Sequence, residues 1–205
     1  LDERRLAGTV LSIGALQWFF GVMIAEGLHT GYNQALSQWI PYSNQIHYVS
    51  ELGLGSTAPI FNISTIVLGL MVAFASYLLY LKNKNILFSS LLLICGVGAA
   101  GVGVFPTNIQ PIHGIFQVFA LWFGAFSAIL SFRKQEVPLS YISAVLGIVS
   151  FVASIVFFPY LGLGANDTST FLGLGKGVME RIVIYPLILW VFGYGYHIAG
   201  KNSEN

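Results

Sequence analysis

Ionisable side chains flank the long apolar stretches of this sequence, and their types suit acid–base, metal or headgroup chemistry. Histidine exchanges protons near neutral pH and ligates metals, so His113 is a candidate general base, metal ligand or headgroup contact. Ser50 and Glu51 supply a hydroxyl and a carboxylate just before a glycine turn. We therefore take His113, Glu51 and Ser50 as candidate catalytic residues, with an interfacial histidine and a loop cap as the simpler alternatives.

A second set of residues would bind a ligand. Arg181 follows Glu180 at the start of the last apolar stretch, where an arginine must pair or reach out of the bilayer. Its planar guanidinium matches a carboxylate or a phosphate. It would therefore either pair with an acidic side chain such as Glu26 or hold an anionic lipid headgroup. The ligand-binding candidates are Arg181, Glu180, Asn62 and His113.

Metal and cofactor content stay open at the level of sequence. The sequence requires no cofactor, and a metal ion at His113 and Glu51 is one alternative. A three-histidine zinc site of His29, His47 and His113 would need a spacing that matches no recognised ligand motif. No G-x-S-x-G elbow of a serine hydrolase occurs.

Composition determines the elements that must position these residues. The chain is 56% hydrophobic and 8% charged, whereas a soluble domain carries about 25% charged residues. Apolar stretches of about 20 residues cross a bilayer as helices. The sequence thus predicts a single all-α membrane domain over 1–205, a bundle of six transmembrane helices. The predicted spans are 6–27, 58–81, 86–105, 111–132, 139–160 and 178–199.

The basic residues predict the orientation of these spans, because short cytoplasmic segments carry the excess of Lys and Arg. One side holds Arg4, Arg5, Lys82, Lys84, Arg133, Lys134 and Lys201. The opposite side holds Lys176 and Arg181. We expect a multi-pass protein of the cell membrane with both termini in the cytoplasm. The net charge of +1 argues against a nucleic-acid partner.

Two further features concern the loops and the packing. A long outer-side loop, 28–57, joins spans one and two, and its aromatic residues suit a cap lying on the bilayer surface. These aromatic residues are Tyr32, Trp39, Tyr42 and Tyr48. Span three is rich in glycine, which predicts close approach of neighbouring helices. The glycines are Gly96, Gly98, Gly101 and Gly103.

The sequence resembles an uncharacterised family of six-span membrane proteins, mostly archaeal, grouped as domain of unknown function 998. The resemblance rests on segments 5–8 (RLAG), 31–32 (GY), 49–53 (VSELG), 60–62 (IFN), 103–106 (GVFP), 180–181 (ER) and 185–186 (YP), with His113 and Trp190. The resemblance implies that five residues of this chain correspond to residues of the family pattern: Ser50, Asn62, His113, Glu180 and Arg181. Glu51 also corresponds, although the family often has Asp at this position. His29 and His47 do not carry over, and the family implies no activity.

A more distant similarity links the chain to autophagy-modulator and GPI-lipid-remodelling membrane proteins, which share a Ser-acid-Gly segment and a histidine early in span four. The leading hypothesis is an outer-face polar site for a lipid or other amphipathic ligand, with membrane lipids as partners. In it, Arg181 and His113 contact a headgroup, held by Glu51 and Glu180. A membrane-embedded lipid hydrolase or remodelling enzyme is the second hypothesis. A structural subunit, with other membrane subunits or as a homo-oligomer, is the third.

Overall fold

A computed structural model of the chain describes residues 2–29, 42–161, 163 and 168–200, and the backbone of 32–33 and 38–39. Within these residues, six helices are long and apolar enough to cross a membrane. They are α1 (Glu3–Leu28), α2 (Ala58–Asn83), α3 (Ile86–Val104), α4 (Ile112–Ser131), α5 (Leu139–Val156) and α6 (Lys176–Gly200). Each contains most of one predicted span, so the predicted all-α six-helix membrane fold is confirmed.

The helix ends follow from local sequence. Asp2 caps α1 by accepting from the N–H of Arg4, and Asn85 caps α3 by accepting from the N–H of Phe88. Between α2 and α3, Lys84 turns the chain with a left-handed φ of 51°. Helix α5 ends at Val156, earlier than predicted, because a 3-10 turn containing Pro159 follows at Phe158–Tyr160.

The helices form a closed ring in which each packs on its neighbours in sequence. Helix α1 packs on α2, each later helix packs on the next, and α6 packs on α1 to close the ring. Apolar residues such as Phe20, Ile63 and Ile148 are exposed on its outside. In a bilayer those side chains face lipid, which is as apolar as they are.

The glycines of α3 confirm the predicted close packing. A Cβ on Gly96 would lie 2.7 Å from the carbonyl oxygen of Gly69 in α2, and one on Gly103 would lie 2.6 Å from that of Asn62. Gly98 and Gly101 instead face backbone and ring atoms of α4. The two sets lie on different faces of α3, so this helix approaches both neighbours closely.

The cap segment, defined here as residues 42–57, inserts into one end of the ring. It contains two 3-10 helices, Ser50–Gly53 and Gly55–Thr57. Val49 and Leu52 are 0% exposed, so this part of the cap segment is buried among the helix ends. Burial of this apolar pair stabilises the inserted segment.

Short strands accompany the two connections at this end. Strands β1 (Tyr32–Asn33) and β2 (Gln38–Trp39) pair antiparallel, as do β3 (Thr170–Phe171) and β4 (Leu174–Gly175). The side chains of Tyr32 and Trp39 lie outside the described residues.

Candidate polar site beneath the cap segment

The candidate residues converge where the cap segment meets the helices. At this end α1, α3 and α5 finish and α2, α4 and α6 begin, because consecutive helices alternate in direction. We call it the cap end. Glu26 lies in the last turn of α1, His113 in the first turn of α4, and Glu180 and Arg181 in the second turn of α6. Ser50 and Glu51 arrive from the cap segment.

Arg181 fixes the cap segment to α1 and α6. Its Nη1 donates to the carbonyl oxygens of Asn44 (3.2 Å), His47 (3.1 Å) and Gly177 (2.9 Å). Its Nη2 lies 2.5 Å from Glu26 Oε1 and also bonds the side chains of Tyr42 and Asn44. Both terminal nitrogens thus donate to acceptors within the protein, as the pairing alternative describes, while Nε has no hydrogen-bond partner among the described residues.

Two histidines flank these contacts of Arg181, which we call the Arg181 clamp. His47 Nδ1 accepts from the N–H of Ser43 at 3.0 Å, and its ring stacks on Tyr42. His29 Nδ1 lies 3.4 Å from Thr57 Oγ1, with its ring edge-on to Tyr42. Burial lowers the pKa of both imidazoles below the usual range, because the cationic form loses its hydration.

Glu180 is 1% exposed and holds the start of the 3-10 helix at Ser50–Gly53. Its Oε2 accepts from the backbone N–H groups of Val49 and Ser50, the latter at 3.3 Å. Its Oε1 accepts from Gln117 Nε2 at 3.3 Å, across the ring in α4. This carboxyl group therefore connects α6, the cap segment and α4.

Lys176 and Glu51 form a second buried contact at the cap end. Lys176 is 0% exposed, its Nζ lies 3.6 Å from Glu51 Oε1, and it stands 4.6 Å from the ring centre of Tyr48. Glu51 Oε2 also accepts from the N–H of Tyr48 at 3.2 Å. Burial raises the pKa of the Glu51 carboxyl to about 7, although the ammonium of Lys176 opposes that rise.

Tyrosine hydroxyls tie this contact to the α5–α6 connection. Tyr48 donates to the carbonyl oxygen of Tyr160 at 2.6 Å. Tyr160 in turn donates to the carbonyl oxygen of Leu174 at 2.7 Å and accepts from the N–H of Phe171 at 2.9 Å. The β3–β4 hairpin is thereby held against the cap segment.

His113 is buried at the start of α4 and oriented by one backbone group. Its Nδ1 lies 2.7 Å from the carbonyl oxygen of Phe105, the residue that follows α3. A carbonyl only accepts, so Nδ1 carries the hydrogen and Nε2 of the neutral ring is an acceptor. No residue in the described part of the chain hydrogen-bonds to Nε2.

Two spaces meet at these side chains. A cavity of about 90 Å³ lies inside the ring, and its walls are mostly apolar side chains such as Trp18 and Phe61. A groove of about 860 Å³ lies beside α4, towards the end of α5 and the cap segment. Four polar residues line both spaces, and we call them the polar junction: Ser50, His113, Gln117 and Glu180.

The groove extends from the polar junction to the outer surface of the ring. Its lining includes Ile115, Val118 and Leu161, all of which are exposed on the lipid-facing side. A passage of this kind gives a membrane-dissolved molecule access from the side. Its volume falls in the range of roughly 300–1,000 Å³ that is usual for ligand pockets.

The structure brings together some predicted residues and separates others. Ser50, His113 and Glu180 share the polar junction, whereas Glu51, Asn62 and Arg181 line neither space. Asn62 instead donates to the carbonyl oxygen of Gly53 at 3.1 Å, fixing α2 to the cap segment.

Two residues of this region, Gln117 and Lys176, are not among the predicted site residues. Gln117 was not singled out, although a lone amide inside an apolar span is itself a signal. Lys176 was counted only as a charge in the orientation pattern, because sequence alone did not place it against Glu51.

Metal coordination is not assembled among these side chains. Within the described residues, no group of three or more His, Cys, Asp or Glu side chains could hold a metal ion. His29 and His47 lie beside the Arg181 clamp, and His113 lies at the polar junction. The three-histidine zinc site is therefore not formed.

The fold and the buried polar groups at one end define a multi-pass helical membrane protein. The model of the family described as "Protein of unknown function (DUF998)" matches residues 12–197, and the chain belongs to this family. No curated protein and no solved structure matches the chain.

Proposed function

We propose that this protein binds a single-chain amphipathic molecule of the membrane, with the headgroup at the polar junction and the chain in the groove beside α4. The observation that carries the proposal is that the same four polar side chains line both the open groove and the apolar cavity. Binding sites for small molecules have this composition, with mostly apolar walls and a few convergent polar groups.

Hydrogen-bonding capacity favours a headgroup that donates hydrogen bonds. His113 Nε2 is an acceptor, and the carboxyl oxygens of Glu180 also accept. The terminal nitrogens of Arg181 are engaged by Glu26, Tyr42 and backbone carbonyls. An anionic headgroup would therefore meet a carboxylate without a matching cation, which is unfavourable. Uncharged headgroups that carry O–H or N–H groups fit best.

The experiment is native mass spectrometry of the purified protein released from detergent after incubation with monooleoylglycerol or with oleate. We expect retention of monooleoylglycerol in preference to oleate. Gln117→Leu removes an amide at the polar junction and should weaken retention about 10-fold, since an unpaired buried polar group costs about 1–3 kcal/mol.

Gln110→Leu is the matched control, because Gln110 lies at the groove and its amide is exposed and bonded to the carbonyl of Thr107. This variant should retain the ligand as the wild type does. Equal losses in both variants, or tighter retention of oleate, would contradict the proposed headgroup class. If Gln117→Leu and His113→Ala both retain these ligands as the wild type does, the proposed site is wrong.

Hydrolysis of an ester-linked lipid is a second candidate, favoured by the presence of Ser50 and His113 at the same junction. Ser50 Oγ would be the nucleophile and His113 Nε2 its general base. Wild-type protein would then release oleate from monooleoylglycerol, and Ser50→Ala would stop release while keeping binding. Binding without release in the wild type would reject this candidate and leave the binding function.

A further inference from the structure

A second polar pocket lies at the other end of the bundle, far from the polar junction along the helices. Its volume is about 250 Å³. It is lined by polar groups from the start of α1, the α2–α3 turn, the 3-10 helix Phe132–Lys134 that follows α4, and the last turns of α6. These residues are Arg4, Asn83, Asn85, Lys134 and Tyr194.

The charge of this pocket is positive. Among the described residues its lining includes Arg4 and Lys134 and no acidic residue, and the Lys134 ammonium also lies 5.0 Å from the ring centre of Phe88. In the described part of the chain, Arg4 forms no side-chain hydrogen bond or salt bridge. Asp2, close by, is engaged by Lys82 at 3.2 Å and by the backbone N–H of Arg4.

Tyr194 supplies an independent indication that something binds here. It is 2% exposed, and its ring is held between Phe88 and Trp190. Tyr194 lines the pocket, and its hydroxyl hydrogen-bonds to none of the described residues. A hydroxyl that no protein group engages can donate to a ligand bound beside it.

We propose that this pocket binds a phosphate group. Two cations from different helices supply the charge, while the Tyr194 hydroxyl and the asparagine amides supply directed donors. Basic pockets between the ends of transmembrane helices suit anionic headgroups in this way. The phosphate belongs either to a phospholipid headgroup or to free phosphate, and both sources share this chemistry.

The test compares two pairs of neighbouring basic residues in the full-length protein. Arg4→Gln is matched by Arg5→Gln, and Lys134→Gln by Arg133→Gln, because Arg5 and Arg133 are exposed and carry the same charge. Retention of dioleoyl phosphatidic acid is measured by native mass spectrometry, with dioleoyl phosphatidylethanolamine as the reference lipid. Stabilisation by inorganic phosphate is measured by thermal unfolding.

If the phosphate belongs to a lipid headgroup, the protein should retain phosphatidic acid in preference to phosphatidylethanolamine. Arg4→Gln or Lys134→Gln should reduce this retention about 10-fold, and neither control variant should change it. Tyr194→Phe should reduce it several-fold. A free-phosphate source predicts no preferential retention, but a rise in melting temperature with phosphate that Arg4→Gln abolishes and Arg5→Gln keeps. Equal effects of each variant and its control, or no response to either probe, would overturn the proposal.

Discussion

Glu26 and Arg181 lie 155 residues apart in the chain and form an ion pair of 2.5 Å between the first and last helices. Tyr42 bonds to both, so the cap segment joins the pair at the point where the ring closes. One guanidinium thus joins α1, α6 and the cap segment. The stability of the cap end should depend on it.

Replacing Arg181 by lysine should destabilise the protein markedly. Lysine keeps the charge but cannot reach the carbonyls and Glu26 together, because it lacks the planar fork. Losing most of a buried pair of this kind costs about 3 kcal/mol. Thermal unfolding in detergent measures the effect, and Arg5→Lys at an exposed position is the control. Similar melting temperatures for both variants would show that the clamp does not contribute.

Glu51 should make stability depend on pH near neutrality. Its pKa is raised from 4.5 to about 7 in the folded protein. The stability it contributes is therefore fully present below pH 4.5 and is lost as the pH rises through 7. Relative to Glu51→Gln, the wild type should lose roughly 1–3 kcal/mol across this interval. Parallel pH profiles of the two proteins would contradict this assignment.

His47, beside the Arg181 clamp, should make the stability fall as the pH decreases, which is opposite to the effect of Glu51. Burial lowers the pKa of His47 below 6.5, so the stability associated with its neutral form is present above pH 6.5 and is lost as the pH falls below it. His47→Asn keeps an acceptor near the N–H of Ser43 and removes the titration. Melting temperatures between pH 7.5 and 5 should therefore fall less steeply in this variant, and an unchanged slope would exclude His47 as a source.

Gly69→Ala should separate α2 from α3. An added Cβ would lie 2.5 Å from the carbonyl oxygen of Gly96 and even closer to the N–H of Ala100, both rigid backbone groups. Overpacking of this kind costs about 1–3 kcal/mol. Gly193→Ala is the control, since nothing lies within 4 Å of its added Cβ, and helix propensity there favours alanine by up to about 1 kcal/mol. Equal stabilities would contradict the packing argument.

Much of the fold could be predicted because its causes are local. Apolar stretches of span length predict helices in lipid, and the density of glycine predicts where helices approach closely. Pro159 altered the end of α5 only slightly. The pattern of charges also predicted that acidic residues and histidines collect at one end of the helix bundle.

The pairing within that end could not be predicted, because it depends on contacts remote in sequence. Glu180 accepts from Val49, 131 residues away, and Arg181 pairs with Glu26, whereas the sequence left Glu26, Glu51 and Glu180 open as partners of Arg181. Choosing among three carboxylates needs the order of helices around the ring and the path of a short buried segment. Neither the order of the helices nor the path of this segment produces a periodic pattern in the sequence.

Closure of the ring by its first and last helices also has a consequence for biosynthesis. Helix α6 follows the other five described helices in the sequence, so Glu26, Tyr42 and the carbonyls of the cap segment lack Arg181 until α6 has been synthesised. Until then the described helices form an open arc, because α1 has no partner at the position that α6 takes. A chain terminated before α6 would keep these acceptors at the cap end without their guanidinium.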